Sequence, residues 1–139
     1  SEQSEDATIA EDLLSWMHQN KADYTNTFCL LRAGSPPKDE EYSDPAFTEW
    51  YARWQSRLGH QSKPLKDSLD LMRSSNPSYI PRNHKVENAL SAASENDDLA
   101  ALYLLLDVIT KPYAERHGLE SYTKPRPIAY GPYQTFCGT

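Results

Sequence analysis

The sequence predicts an all-α fold of about six helices in a small irregular bundle, followed by an extended C-terminal arm rich in proline and aromatic residues. Three observations predict it. Apolar residues recur at three- and four-residue intervals through most of the first 110 residues, which is the repeat of an amphipathic helix and not of a half-buried strand. Residues that start or stop helices bracket these stretches, such as Asp44-Pro45 in front of one and Asn76-Pro77 behind another. After Thr110 the period vanishes, and Pro112, Pro125, Pro127 and Pro132 are dispersed among Tyr113, Tyr122, Tyr130, Tyr133 and Phe136.

Residues 1–7, beginning SEQSED, read as a frayed lead, and a start at Ser1 instead of methionine suits a piece of something longer. Thr8 and Glu11 have capping-box spacing, and Ile9, Leu13, Leu14 and Met17 follow, which predicts a first helix over 8–19 with Trp16 off its stripe. Asp23 caps a short second helix carrying Tyr24, Phe28 and Leu31, which Gly34, Pro36 and Pro37 end. The acidic run Asp39-Glu40-Glu41 makes a solvated loop.

Asp44 and Pro45 then start a third helix, because the aspartate caps and proline at the first helical position lacks a donor that would be idle anyway. Phe47, Trp50, Tyr51, Trp54 and Leu58 form its apolar face, and Gly59 closes it. Pro64 heads a fourth helix with Leu65, Leu69 and Met72. A fifth, over 83–94, presents Val86, Ala89, Leu90 and Ala93. Asp97 caps a sixth whose face is Leu99, Leu102, Tyr103, Leu106 and Ile109, with Leu105 widening it toward full burial. The organisation is therefore a lead over 1–7, a helical domain over 8–110 and an arm over 111–139. A tail so rich in aromatics is expected to be ordered and to lie across a helical surface, since disordered tails are poor in them.

At 139 residues the chain is the size of one ordinary domain and needs no staples to bury a core. Net charge is −6, and no Lys/Arg-rich run occurs, so nucleic acid is not an expected partner. No apolar run approaches the ~18 residues of a membrane span, so a soluble protein is expected. Cys29 and Cys137 are too few and too far apart for a disulfide framework or a zinc site, which points to reduced thiols.

The most constrained stretch is Asn76-Pro77-Ser78-Tyr79-Ile80-Pro81-Arg82-Asn83-His84. Pro77 biases Asn76 away from the helical region, and Pro81 does the same to Ile80. Asn76, Pro77, Pro81, Arg82 and Asn83 are thus read as a structural corner between two helices. Arg82 brings a planar five-donor fork, expected to pin the corner through carboxylates or helix C-terminal carbonyls, the other reading being contact with a ligand. None of His18, His60, His84 and His117 has a metal- or base-type partner at the right spacing, and His84 with Glu87 reads as a surface pair. The cluster Asp39, Glu40, Glu41 and Asp44 lacks the alternating ligands and turn glycine of a calcium loop. No phosphate cradle, dinucleotide fingerprint, nucleophile elbow or kinase triplet occurs, so no catalytic, cofactor or metal residue is assigned. Cys29 reads as a packing residue, whereas Cys137, next to Gly138 near the terminus, is a redox candidate.

Several of these elements together resemble one family. Asp23-Tyr24-Thr25-Asn26-Thr27-Phe28, Phe47-x-x-Trp50 through Arg57-Leu58, and Met72-x-x-x-Asn76-Pro77 with Arg82-Asn83 stand in order. Leu105-Leu106-Asp107-Val108-Ile109 ahead of Lys111-Pro112-Tyr113 and a near-terminal cysteine follow. From about residue 11 to 139 the order and spacing are similar to the C-terminal portion of the selenoprotein O family, and Asn-Pro-x4-Arg-Asn is the most specific element. The resemblance implies a kinase-like parent that binds ATP inverted and, with Mg²⁺, transfers AMP to Ser, Thr or Tyr hydroxyls of client proteins. It implies that this piece is a non-catalytic helical region whose partner is the kinase-like part of the same chain, against which the arm could also pack. The compartment implied is the cytoplasm in a bacterium and the mitochondrion in a eukaryote. Cys137 matches the family's near-terminal selenocysteine or cysteine, although the ending is Cys137-Gly138-Thr139 in place of Cys-Ser-Ser, and Tyr130-Gly131 replaces Trp-Gly. A helical module that recruits clients through the Trp/Tyr-rich third helix or the tail is the alternative reading.

Overall fold

A computed structural model describes residues 2–133. Six helices are present: α1 (Glu2–Asn20), α2 (Tyr24–Leu31), α3 (Pro45–Gly59), α4 (Leu65–Ser75), α5 (Asn83–Asn96) and α6 (Ala100–Thr110). Three single-turn 3-10 helices lie at Glu40–Ser43, Glu120–Tyr122 and Ile128–Tyr130, and no strand occurs among the described residues. The fold is all-α. The chain divides into two compact units, Ser1–Asn76 and Pro77–Thr139, so the break falls at the Asn76–Pro77 bond, inside the expected 8–110 domain.

In the first unit α1 begins at Glu2, and residues 2–7, expected to fray, are helical. Thr8 does not cap: its hydroxyl donates to the Ser4 carbonyl at 2.9 Å, the back-bond of a threonine inside a helix. The helix ends where Lys21 turns left-handed at φ 54° and the Ala22 N–H reaches the Met17 carbonyl at 3.0 Å, the six-to-one bond of a Schellman motif. Trp16 is not off the stripe. It lies two full turns from Ile9, faces the core with Ile9, Leu13 and Met17, and is 7% exposed, while Leu14, about 100° round from Leu13, is exposed.

Leu31, Tyr42, Phe47, Trp50 and Tyr51 complete this core. Each polar atom carried inside has a partner, as burial demands. The Trp50 indole N–H donates to the Ile9 carbonyl at 2.7 Å, and the Trp16 indole N–H to Asp44 Oδ2 at 2.7 Å. The Thr27 hydroxyl donates to the Asp23 carbonyl at 2.7 Å, which leaves Tyr42 as donor in the 2.9 Å Thr27–Tyr42 hydrogen bond. Burial holds the Tyr42 phenol well above its ordinary range. The caps at Asp23 and Asp44 are as the sequence predicts, with their carboxylates accepting from the Asn26 and Ala46 N–H groups. Gly34, at φ 73°, lies under Leu69, and a Cβ there would sit 2.8 Å from a Leu69 methyl carbon.

In the second unit α5 and α6 pack against each other across a three-residue link. Asp97 does not cap α6; it ends α5 in the left-handed region at φ 53°. Asp98 caps instead, accepting from the Ala100 N–H at 2.9 Å. The expected apolar face of α6 also needs correction: Leu105 (4% exposed) and Val108 (0%) point inward, while Leu99, Tyr103 and Leu106 are exposed. A helix that is apolar all round gives periodicity nothing to choose between.

The arm is irregular apart from its two 3-10 turns, and its start is tied to the segment that precedes α5. The Ser78 N–H donates to the Pro112 carbonyl at 2.7 Å, and the Arg116 N–H donates to the buried Tyr79 hydroxyl at 2.9 Å. No helix is long and apolar enough to cross a membrane among the described residues.

Candidate functional site

Two places concentrate unusual groups, one in each unit. In the first unit α1, α2, α3 and α4 line a half-open cavity of about 410 Å³. Its walls are apolar, with Leu13, Phe28, Trp50, Trp54 and Met72 prominent among them. The hollow follows from side-chain size along α3: Trp50 is fully inside, whereas Trp54, one turn on, is half-buried and stacks on Trp50 with ring centroids 5.9 Å apart. Its charged lining groups are already matched, since Arg57 donates from Nε and Nη2 to the two oxygens of Asp6 at 2.7 and 3.1 Å. A fork-to-fork pair of this kind is satisfied and offers no acid, base or nucleophile. The chemistry available is apolar packing.

In the second unit Arg82, His84, Lys85, Arg116 and Arg126 gather round the start of α5 and the arm. Arg82 Nη2 donates to the Thr123 carbonyl at 3.2 Å, and Thr123 is the residue that terminates the Glu120–Tyr122 turn. Arg116 spans the unit: Nη1 donates to Asp107 Oδ2 at 2.6 Å, Nη2 to the Asp107 carbonyl at 3.0 Å, and its guanidinium lies 6.0 Å from the Tyr79 ring. The Lys111 and Arg116 hydrogen bonds hold the Asp107 carboxyl below the ordinary range. Lys85 stands over the Tyr122 ring at 5.1 Å, and Arg126 stands over the rings of Tyr130 and Tyr133 at 5.4 and 5.5 Å. His84 is 7% exposed, and burial, with Lys85, Arg126 and Arg82 adding to it, lowers its pKa.

The structure brings Arg82 and His84 into one neighbourhood but does not assemble the four histidines. His60, just past α3, hydrogen-bonds the Ser56 carbonyl of that helix, and His117 is fully exposed beside Glu120. Glu87, four positions from Asn83, approaches Arg126 at 4.0 Å. Asn76 is extended, and its carbonyl accepts from Arg32 Nη1 at 3.1 Å inside the first unit. Among the described residues no group of three or more His, Cys, Asp or Glu is placed to hold a metal ion. The acidic stretch forms the 3-10 turn Glu40–Ser43, whose Tyr42 is part of the core. Cys29 is half-buried in α2, and Cys137 lies outside the described residues.

Sequence reasoning missed the cavity, Arg116 and Asp107. The Trp50/Trp54 spacing marks a large aromatic face but not a hollow beside it, and the eight residues between Asp107 and Arg116 span a chain reversal that no period reports. The Trp/Tyr-rich face of α3 is not a free surface, because Phe47, Trp50 and Tyr51 are 2–5% exposed.

Comparison with known proteins adds one line of evidence. The profile of a family described as protein adenylyltransferase SelO matches residues 1–110. A protein nucleotidyltransferase YdiU of Alcanivorax borkumensis is 48% identical over 137 residues, which is 99% of this chain and 28% of that protein. Proteins of the same name from Syntrophotalea carbinolica and Halalkalibacterium halodurans are each 46% identical, covering 96% and 100% of this chain. The chain spans little more than a quarter of the length of these relatives.

Proposed function

The chain belongs to the SelO family, and from that membership we propose that it is the helical C-terminal region of a protein adenylyltransferase, supporting the catalytic part without performing the chemistry. The parent transfers AMP from ATP to hydroxyls of client proteins. The observation that carries this reading is the combination of nearly full coverage of this chain with 28% coverage of its relatives. Most of such a protein is elsewhere.

Support for placing nucleotide and Mg²⁺ elsewhere in the parent comes from how charged groups among the described residues are engaged. The carboxylates of Asp6, Asp70 and Asp107 are each engaged by arginine or lysine, and a hard divalent cation needs several uncommitted oxygens converging on one point. The guanidinium groups of Arg57 and Arg116 are likewise turned onto carboxylates within the chain, not toward an open phosphate site. ATP and Mg²⁺ are therefore assigned to the kinase-like part of the parent. Phosphoryl-type transfer depends on positioning and charge stabilisation, so a rigid support can affect its rate without touching substrate.

The test is to incubate the full-length protein, and separately this chain, with ATP, Mg²⁺ and a protein acceptor and to look by mass spectrometry for an AMP adduct. Transfer by the full-length protein alone is expected. An adduct formed by the isolated chain overturns the supporting role. Cys137 is proposed as a redox link to the kinase-like part; unchanged gel mobility of the full-length wild type and Cys137→Ser, with and without reductant, removes that role.

A further inference from the structure

We infer that the stripe formed by Leu99, just before α6, with Tyr103 and Leu106 on it, is a buried seam in the full-length protein, covered by an apolar surface of the part that lies outside these residues. The inference rests on the reading of the chain as a region of a longer enzyme.

The argument begins with composition. Between Ala100 and Thr110 the helix reads AALYLLLDVIT and carries a single charge, Asp107. Helices that meet water in this chain are built otherwise. The outer side of α3, for example, carries Glu49, Arg53 and Ser56, all exposed. A helix apolar on every side is one that is covered on more than one side. The unit supplies one cover, over Leu105 and Val108, which are 4% and 0% exposed.

Leu99, Tyr103 and Leu106 follow at i, i+4 and i+7, so they line up along the helix on a different face. They are 44%, 65% and 44% exposed, and half-buried Leu102 lies among them. Single exposed apolar residues are ordinary, but a row of three large ones along one helix and its first flanking residue is a patch of the kind that marks an interface. The one charge of the helix adds nothing to this face, because Asp107 is turned onto Lys111 and Arg116. An apolar occupant fits, and a charged one does not, since a charge brought against this row would be buried without a partner.

The length of chain outside these residues selects the occupant. With 28% of a relative's length matched, roughly 72% of it (100 − 28) lies outside, far more than is needed to cover one three-turn helix face. A cover within the same protein also avoids the loss of translational freedom that a second copy would impose.

The test uses the full-length protein with a photo-reactive residue, Tyr103→p-benzoylphenylalanine, irradiated at a concentration where the protein is monomeric. The expected cross-linked peptide comes from outside these 139 residues. A cross-link into residues 1–76, a cross-linked dimer, or no cross-link overturns the seam. Should that variant fail to fold, hydroxyl-radical footprinting of the wild-type full-length protein reads the same point: loss of labelling at Leu99 and Leu106, to the level of Leu105, is expected, and full labelling overturns it. An AMP-transfer assay on the same sample separates the two readings. Active protein with an uncovered Tyr103 removes the seam and keeps the function, while a covered Tyr103 in protein that transfers nothing does the reverse.

Discussion

Asp44 performs two tasks with its two carboxylate oxygens. Oδ1 accepts from the Ala46 N–H at the start of α3, and Oδ2 accepts from the Trp16 indole on α1. Replacing it removes a cap and strands a half-buried donor together, so Asp44→Ala should lower stability by about 2–4 kcal/mol, read from urea unfolding followed by tryptophan fluorescence. A loss below about 0.5 kcal/mol would show the pairing to be incidental. The cap was legible from Asp44-Pro45, but its second bond was not, because nothing local links residue 44 to residue 16. His84 makes a pH-dependent prediction. Its pKa lies below the ordinary 6.5, chiefly through burial, so the unfolded chain takes up the proton first as pH falls. Stability should therefore decline as pH drops from about 6.5 through the lowered native pKa. His84→Gln should flatten that decline in unfolding curves taken between about pH 7 and pH 5. An unchanged slope counts against a buried neutral imidazole.

At the scale of elements, capping chemistry located the starts of α2 and α3 closely, whereas it misplaced the start of α1 and the cap of α6. The misplacements have one cause. A threonine or aspartate that could cap is indistinguishable in sequence from one that back-bonds or ends the preceding helix, as Thr8 and Asp97 do. Faces were read unevenly too. The α3 face is the clearest in the chain, and the structure grades its members: Trp50 is 4% exposed and bonds the Ile9 carbonyl, while Trp54 borders the cavity. Trp50→Ala should cost about 3–5 kcal/mol, and Trp54→Ala about 1–3, because less surface returns to water and fewer contacts are lost. Equal losses in chemical denaturation would mean that the cavity is closed in solution. The surface pairs Arg53–Asp12 and Lys66–Asp70 should contribute little, as exposed ion pairs do.

For the whole molecule, the double-proline segment begins at a boundary. The division into compact units falls at Asn76–Pro77, and the residues that follow are bonded to the arm through Pro112, Arg116 and Thr123. Arg82 separates a structural role from a ligand role. In the full-length protein Arg82→Ala should lower the melting temperature, through loss of a charge-assisted hydrogen bond worth about 1.5–3 kcal/mol, and leave the KM for ATP unchanged. A raised KM at unaltered stability would assign Arg82 to nucleotide binding. The local order of residues was sufficient for the all-α class, for most helix positions and for membership of the SelO family, since capping, periodicity and motif spacing are properties of neighbours along the chain. Tertiary structure alone decided that Trp16 is inside and Leu14 outside, that α6 turns Leu105 and Val108 inward, and that Arg116 closes on Asp107. Each of those depends on which surface arrives from a distant part of the chain, and a helix with apolar residues on several sides accepts cover from whichever side meets it first.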